Sequence, residues 1–477
     1  MFFRQIYDDG LAQASYVVGS SGDGRALVVD PCRDVDVYLE LAAQKDLQIV
    51  AVAETHIHAD FLSGAPELAR VTGATLQLSG EGRGPHGYAQ ASEGDVRFLN
   101  DGESFSLGEV LVKARHTPGH TPEHLSFEIF DDARQAEPML LLSGDFIFVG
   151  DLGRPDLLER SLNAAGTARA GALQMFASLR RALAELPDYV QVWPGHGAGS
   201  ACGRALGAVP STTLGYERRF SWWSHLLETG DEPGFVEALL RDQPDAPSYF
   251  AAMKRLNRGD RPLLDALPVP PALDASALQR ARADGAVVID TRSKQAFIRS
   301  HLAGAVSIPD GPSFSNWAAW FVPLGSAIVL IAPQARVEEL VRRLIRVGHD
   351  RIIGYAADQS QGKSALQPLP EISADSAHRM WSDKKAVIVD VRSDAEYQRV
   401  RIPGALHLSS GRLLTGLDRV PKGSAIIVHC AAGDRSVAAS SVLLANGFQH
   451  VFNLERGLDD WRANGLPLES QAVAVPS

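Results

Sequence analysis

Cysteine is scarce in this chain: three in 477 residues, at Cys32, Cys202 and Cys430. So few and so scattered, they exclude a disulfide framework and fit a reducing compartment, and the expected localisation is cytoplasmic. Positive charge is also in deficit, with 46 Lys and Arg against 57 Asp and Glu and a net charge of -11. That balance offers no broad basic face, so no nucleic-acid partner is expected. No stretch approaches the roughly 20 apolar residues that span a bilayer, so no membrane partner is expected either. The start, Met1 to Asp9, lacks a basic segment followed by a long apolar run and reads as no signal peptide. What is present is ordinary globular composition, 45% hydrophobic and 22% charged, at a length that calls for two to four domains.

The N-terminal half alternates strand-like runs with helical patterns. Ser15 to Gly19, Ala26 to Val29, Ile49 to Ala53, Glu109 to Ala114, Leu125 to Ile129 and Met139 to Leu142 read as strands. Val37 to Lys45 and Gly171 to Leu186 read as helices, and the alternation suits helices outside paired sheets. The Pro-rich break Leu267-Pro268-Val269-Pro270-Pro271 marks a domain edge. Beyond it the chain repeats itself. Val287-Val288-Ile289-Asp290-Thr291-Arg292-Ser293 returns as Val387-Ile388-Val389-Asp390-Val391-Arg392-Ser393, and Gly325-Ser326-Ala327-Ile328-Val329 returns as Gly423-Ser424-Ala425-Ile426-Ile427. The expected domains are therefore residues 1–258, 270–362 and 372–470, with Gln367 to Pro370 joining the last two.

The most informative segment is Thr55-His56-Ile57-His58-Ala59-Asp60-Phe61, directly after the strand ending at Ala53. Two His and one Asp at alternate spacing, where a strand gives way to a loop, point to metal binding. Three further elements place a His or Asp at a strand end: Thr117-Pro118-Gly119-His120-Thr121, Ser143-Gly144-Asp145 and Trp193-Pro194-Gly195-His196-Gly197. A rigid sheet can hold such residues while the loops approach a metal.

These elements, in this order, resemble the metallo-β-lactamase superfamily, whose two-metal hydrolases read H-x-H-x-D-H. Here the last position is Phe61, which has no lone pair to offer a cation. Thr55 to Phe61, with Gly144-Asp145 followed by Gly153-Arg154-Pro155-Asp156, more narrowly resembles the persulfide dioxygenases, glyoxalase-II-like proteins that keep one iron. The resemblance implies an αββα sandwich holding one Fe(II) through His56, His120 and Asp145. Two imidazoles and a carboxylate would leave positions open on non-haem iron. His58 would then orient a ligand from behind, and Asp60 and His196 would orient water, substrate or the ligands. Zinc with an activated water stays open for the same donors. Arg154 and Asp156 are expected in a loop rimming the site, where Arg154 either grips a substrate carboxylate or forms an ordinary ion pair. Tyr216 resembles a position near the active site in relatives, while Cys32 and Cys202 read as inert packing.

In the second repeat, a strand ending at His429 runs into Cys430-Ala431-Ala432-Gly433-Asp434-Arg435-Ser436, followed by a helical pattern. Strand, short loop and helix N-terminus make a cradle of backbone N–H groups around one thiol. Gly433 lets the loop curl round the sulfur, and the helix dipole and Arg435 favour a thiolate. The pattern C-x-x-G-x-R-S closely resembles the rhodanese active loop, and the resemblance extends over Asp390 to Tyr397 and Gly457 to Trp461. In the first repeat Ala332, Ala335 and Val337 stand opposite Cys430, Gly433 and Arg435, so that copy reads as catalytically silent. The fold class implied is α/β, a sandwich followed by two small rhodanese-like domains with mostly parallel sheets. The joint resemblance implies oxidation of a low-molecular-weight persulfide, such as glutathione persulfide, by O2 to sulfite and thiol. Cys430 would then pass sulfane sulfur to sulfite, giving thiosulfate, in a homo-oligomer. The competing readings are a zinc-dependent glyoxalase-II-like thioester hydrolase fused to a sulfurtransferase, and a sulfur-relay or sensing protein with a structural metal.

Overall fold

The computed structural model describes residues 1–84, 87–88, 95–132, 136–157, 159, 166–204, 206–259, 261–357 and 366–470. The expected end of the second domain at 362 lies outside the described residues. The chain forms two compact units, Met1–Leu267 and Pro268–Ser477.

In the first unit two six-stranded sheets each keep the chain's own order. One contains Phe2–Asp8, Gln13–Gly19, Arg25–Val29, Gln48–Ala53, Thr75–Ser79 and Val96–Leu99. The other contains Ser104–Leu107, Val110–His116, Leu125–Phe130, Leu140–Gly144, Gln191–Pro194 and Thr212–Thr213. Successive side chains of a strand point to opposite faces, and here both faces are apolar. Tyr16, Val18, Leu27 and Val29 meet Val112, Phe127, Ile129 and Leu142 between the sheets. The alternate residues Val17, Val28 and Val52 pack outward on Tyr38 and Leu68 of the helices Asp36–Gln44 and Ala65–Thr72. On the far face Leu141 and Val192 pack on Met175, Phe176 and Leu179 of the helix Thr167–Glu185. The layers are helix, sheet, sheet and helix. Each such side chain, fully buried, contributes on the order of 1.5–3 kcal/mol.

The second unit holds the repeat as two parallel sheets. The first runs Val306–Ser307, Val287–Asp290, Ile328–Ile331, Ile352–Ala356. The second runs Glu371–Ile372, Val451–Leu454, Ala425–His429, Ala386–Asp390, Leu406–His407. Even the braces recur: Arg292 bonds Asp290 and the Ser300 carbonyl, and Arg392 bonds Asp390 and the Val400 carbonyl. The helix Asp434–Ala445 is buried almost throughout, because Val437 and Leu444 enter the core of the first repeat while Ser441 Oγ accepts the Ser307 N–H at 2.9 Å. No helix among the described residues is long and apolar enough to cross a membrane.

His349 is buried in the first repeat with Nε2 3.2 Å from the Ala318 carbonyl, and burial pushes its pKa down to about 4. Unfolding lets this ring take a proton below its ordinary range near 6.5, so its contribution is intact above that and falls with pH towards 4. His349→Gln is expected to remove about 2.5 kcal/mol of the acid destabilisation of the second unit, read by urea unfolding at pH 7 and pH 4.5.

Candidate metal centre and thiol loop

The strand directions bring the N-terminal motifs together. Leu140–Gly144 and Gln191–Pro194 are parallel neighbours. Val110–His116 runs the same way, since Leu125–Phe130 lies between it and Leu140–Gly144, antiparallel to both. Their C-terminal ends share one edge, and His120, Asp145 and His196 follow just beyond. From the other sheet, Gln48–Ala53 leads into the loop carrying His56, His58 and Asp60.

His56, His120 and Asp145 are all buried, with ligand atoms within 4.8 Å of one another. Nε2 of His56 and of His120 stand 3.9 and 3.4 Å from Asp145 Oδ2. The Thr55 hydroxyl donates to Asp30 at 2.8 Å and so accepts from His56 Nδ1 at 2.9 Å. His120 Nδ1 donates to the Arg154 carbonyl at 2.9 Å. Both rings therefore present an Nε2 lone pair to the centre. Burial, reinforced by neighbouring histidines and Lys254, holds both well below the ordinary histidine range and keeps them neutral. Burial also pushes Asp145 up to about 6, against the pull of His196. The approach depends on Gly144, at φ 52°, where a Cβ would stand 2.7 Å from His124 Nε2.

A second group, Asp60, His196 and Cys202, lies alongside and is equally buried. His196 Nδ1 donates to the Ala12 carbonyl at 3.0 Å, which leaves Nε2 facing Asp60 Oδ2 at 3.3 Å and Asp145 Oδ1 at 3.5 Å. Nε2 of His56, Nε2 of His196 and both Asp60 oxygens are buried with no hydrogen-bond partner among the described residues. Burial opposes charge on His196, but Asp145 and Asp60 override it and raise its pKa, so the cluster favours positive charge among its carboxylates and the arrangement fits a cation. The first group's donors suit Fe(II) or Zn(II). His58 turns away from this centre: its Nε2 lies 3.1 Å from Asp30 Oδ1. Burial opposes its charge, but Asp30 overrides burial and raises its pKa to about 9. Phe61 is fully buried, its ring 4.5 Å from that of His58.

The packing bears on three further expectations. Arg154 is no rim residue: it is fully buried, forks onto Asp156 at 2.8 and 2.7 Å, and donates to the Ala201 carbonyl at 3.1 Å. The pair braces the loop whose carbonyl holds His120, because a guanidinium taken out of water needs such partners. Tyr216 is 55% exposed, its ring against Phe220 and its N–H on Thr213. Cys202, expected as inert packing, joins the second group, and its thiol is raised well above the ordinary range by burial and by Asp60 and Asp145, which agrees with an unreactive thiol.

Other site residues gave no motif. Asn257 Nδ2 donates to the His58 and Phe61 carbonyls at 2.9 and 2.7 Å, and its Oδ1 accepts the Ser63 N–H at 2.9 Å. Lys254, buried on the same helix Phe250–Asn257, has its pKa lowered by burial, with Glu123, Cys202, Asp145 and Asp60 favouring the charge. The available signal is a lysine on that helix's buried face, beside Phe250, Met253 and Asn257.

In the second unit, Cys430 follows the strand Ala425–His429 and is 2% exposed. The Gly433 N–H donates to Cys430 Sγ at 3.1 Å, and Ser436 Oγ lies 3.6 Å from it. Gly433 has φ 98°, which lets the loop turn back into the helix Asp434–Ala445. Of the remaining loop residues, Ala431 is half-buried and Ala432 and Asp434 are exposed. Arg435 forks onto Glu396, with both contacts at 2.7 Å. Burial works against Glu396, but Arg435 and the Ser393 N–H hold its pKa down to about 2. The guanidinium near the thiol thus has a fixed anionic partner, a pairing the loop pattern did not reveal.

The fold and these two arrangements define a metal-binding sandwich joined to a sulfurtransferase-type thiol domain. The Metallo-beta-lactamase superfamily matches residues 8–196 and the Rhodanese-like domain matches residues 373–464. The crystal structure of a metallo-beta-lactamase from Staphylococcus aureus subsp. aureus COL is 40% identical, covering 74% of this chain and 98% of that one at a TM-score of 0.67. A hydroxyacylglutathione hydrolase of Polaromonas sp. is 27% identical over 269 residues, 51% of this chain and 93% of that protein. A sulfurtransferase of Allochromatium vinosum is 32% identical over 99 residues, 20% of this chain and 92% of that protein. The chain belongs to the metallo-β-lactamase superfamily and carries a rhodanese-like domain at its C-terminal end.

Thr55→Val removes the hydroxyl that accepts from His56 and donates to Asp30. Metal affinity is expected to fall about 10- to 100-fold, measured by chelator competition with metal content read by mass spectrometry.

Proposed function

We propose that the first unit oxidises a low-molecular-weight persulfide to sulfite and that Cys430 turns sulfane sulfur and sulfite into thiosulfate. The first reaction is RSSH + O2 + H2O → RSH + SO3²⁻ + 2H⁺. In the second, Cys430 takes the outer sulfur of another persulfide, releasing RSH, and sulfite then removes that sulfur as thiosulfate. The observation that carries this reading is Phe61, fully buried at the place where two-metal hydrolases have a further histidine. The group His56, His120 and Asp145 can hold iron, which when bound supplies open positions for sulfur and dioxygen. The chain's own residues do the rest. Thr55 and the Arg154 carbonyl fix both imidazoles as neutral donors. Complete burial of the group keeps bulk water away. Lys254 adds a buried amine whose pKa is lowered by burial, with Glu123, Cys202, Asp145 and Asp60 favouring its charged form, beside a centre whose substrate, a persulfide, is readily anionic. His196 also lines a cavity of 360 Å³ with Tyr7, Gly197, Ala198 and Val209, room for part of a thiol carrier.

A second reading is a zinc-dependent thioester hydrolase. It is favoured by the Asp60, His196 and Cys202 group, whose unpaired acceptors suit a second cation, and by the name of the Polaromonas relative.

Oxygen uptake by the iron-loaded protein given glutathione persulfide separates the two. The dioxygenase reading expects uptake with sulfite and thiosulfate formed, uptake lost in His120→Ala, and sulfite accumulating in Cys430→Ala while thiosulfate falls. No uptake with glutathione or coenzyme A persulfide, together with two zinc ions per chain and thioester cleavage, gives the hydrolase reading.

A further inference from the structure

The first repeat has lost its thiol, yet one of its residues stands on the rim of the other repeat's thiol loop. Lys294 opens the helix Lys294–Arg299, directly after the capping Ser293. A cation in the first turn of a helix opposes the macrodipole, and the equivalent position of the second repeat is Asp394. A locally unfavourable residue calls for a tertiary reason, and the structure supplies one. Lys294 Nζ lies 2.7 Å from Asp434 Oδ1 and 3.5 Å from the Ala432 carbonyl. It also lies 3.9 Å from the point a Gly433 Cβ would occupy, and the Gly433 N–H is the group that donates to Cys430 Sγ.

The charges around the loop make this position decisive. Arg435 is balanced by Glu396, and Asp434 adds a negative charge on the exposed side. Without Lys294, Arg435, Glu396 and Asp434 together carry one net negative charge, and the further cation beside the loop is Arg456, whose backbone N stands 3.8 Å from the point a Gly433 Cβ would occupy. Sulfite and thiosulfate are both dianions. The lysine is held in register by more than its own ion pair, because Val437 and Leu444 of the helix behind the loop enter the first repeat's core and Ser441 accepts the Ser307 N–H. Asp434 is 60% exposed, so the ion pair itself adds little to stability. Its consequence lies in where it puts a charge.

We propose that Lys294 of the silent repeat completes the anion-binding rim of the Cys430 loop, so that the tandem pair forms one site for anionic sulfur compounds. The proposal deepens the sulfurtransferase reading of Cys430 and rests on it for its biological meaning. In the reaction concerned, the Cys430 thiolate attacks the outer sulfur of thiosulfate. The S–S bond breaks, sulfite leaves with the bonding pair, and Cys430 remains as a persulfide. Lys294 would bind the dianion and takes no part in bond exchange, so it is a positioning residue.

Two measurements on the full-length protein test this, comparing Lys294→Ala, Lys294→Arg and the remote control Lys385→Ala. The first is the rate of Cys430 alkylation by anionic iodoacetate relative to neutral iodoacetamide, with the label located by mass spectrometry. The ratio cancels any change in thiolate fraction or general access. It is expected to fall about three- to tenfold in Lys294→Ala, to return in Lys294→Arg and to stay unchanged in Lys385→Ala. The second is steady-state transfer from thiosulfate to cyanide, which is mostly neutral HCN at pH 7. KM for thiosulfate is expected to rise by a similar factor, with KM for cyanide and kcat within about twofold. An unchanged alkylation ratio in Lys294→Ala overturns the proposal. Where neither reagent labels Cys430, an unchanged thiosulfate KM does so. A fall in the ratio with no sulfur transfer by the wild type leaves the charged rim standing and sinks only the sulfurtransferase reading.

Discussion

The Asp30 carboxylate ties one loop to one sheet, and the metal centre depends on that tie. It accepts the Thr55 N–H at 2.7 Å and the Thr55 hydroxyl at 2.8 Å, and the His58 ring lies 3.1 Å away. Asp30 itself sits at φ 51°, just beyond the strand Arg25–Val29, with its N–H on the Ala53 carbonyl. Because Thr55 spends its proton on Asp30, its oxygen can take the His56 Nδ1 proton, and the tautomer at His56 follows. His58 does not reach the metal side because its Nε2 belongs to Asp30. One buried carboxylate thus decides which of the two motif histidines faces the centre. Asn257 closes the same loop from the opposite side by holding the His58 and Phe61 carbonyls.

This hierarchy explains what could be read in the sequence. The strands around Ala53 and Leu142 are legible as nearly unbroken apolar runs, and the strand around Ile129 as an alternation of apolar residues with Ser126 and Glu128. The layered α/β architecture followed from their alternation with helices. Phe2–Asp8, Thr75–Ser79 and Val96–Leu99 do not stand out in the sequence, since Gln, Arg, Thr and Ser break their apolar pattern, even though Thr75–Ser79 is buried along most of its length. His120, Asp145 and His196 stand out because each follows a strand within a short glycine- or proline-bearing turn, and His56 because it opens the His-x-His-x-Asp spacing just after a strand; both are local patterns. Asp30, Lys254, Asn257 and Cys202 lie in unremarkable local sequence. They reach the centre only through the sandwich closing and the helix Phe250–Asn257 packing across the motif loop. Arg154 illustrates the converse: its neighbours read as a rim loop, but the fork onto Asp156 and the Ala201 carbonyl takes the whole guanidinium inside.

The two repeats separate fold from chemistry in one chain. Both keep the parallel sheet, the Asp–Arg brace and a helix after the central strand, because these bury apolar area whatever the loop does. The first repeat replaces the thiol loop with Ala332-Pro333, and its helix Gln334–Ile345 starts at once, with Arg336 and Arg343 turned onto Asp310. The second repeat keeps a longer connection curled round Sγ. Its helix Asp434–Ala445 then needs apolar cover on both faces, which the silent copy supplies. That cover is the physical reason a copy without a nucleophile can still matter to the one that has it.

The two candidate sites are electrostatic opposites. At the metal centre the protein offers buried groups without hydrogen-bond partners, Nε2 of His56 and of His196 and the Asp60 oxygens, and against burial its carboxylates pull the His196 pKa up. Such a cavity is satisfied by positive charge, so a cation there settles the desolvation cost of the whole group at once. At Cys430 the protein offers donors, the Gly433 N–H and the N-terminal end of a helix, and balances Arg435 with Glu396 so that the cradle is not overloaded with positive charge. That loop is satisfied by a sulfur anion. A cation-binding centre and a stabilised thiolate are opposite polarities carried by one chain. Each unit builds one of them from the same elements, a strand end, a tight glycine turn and the next loop or helix.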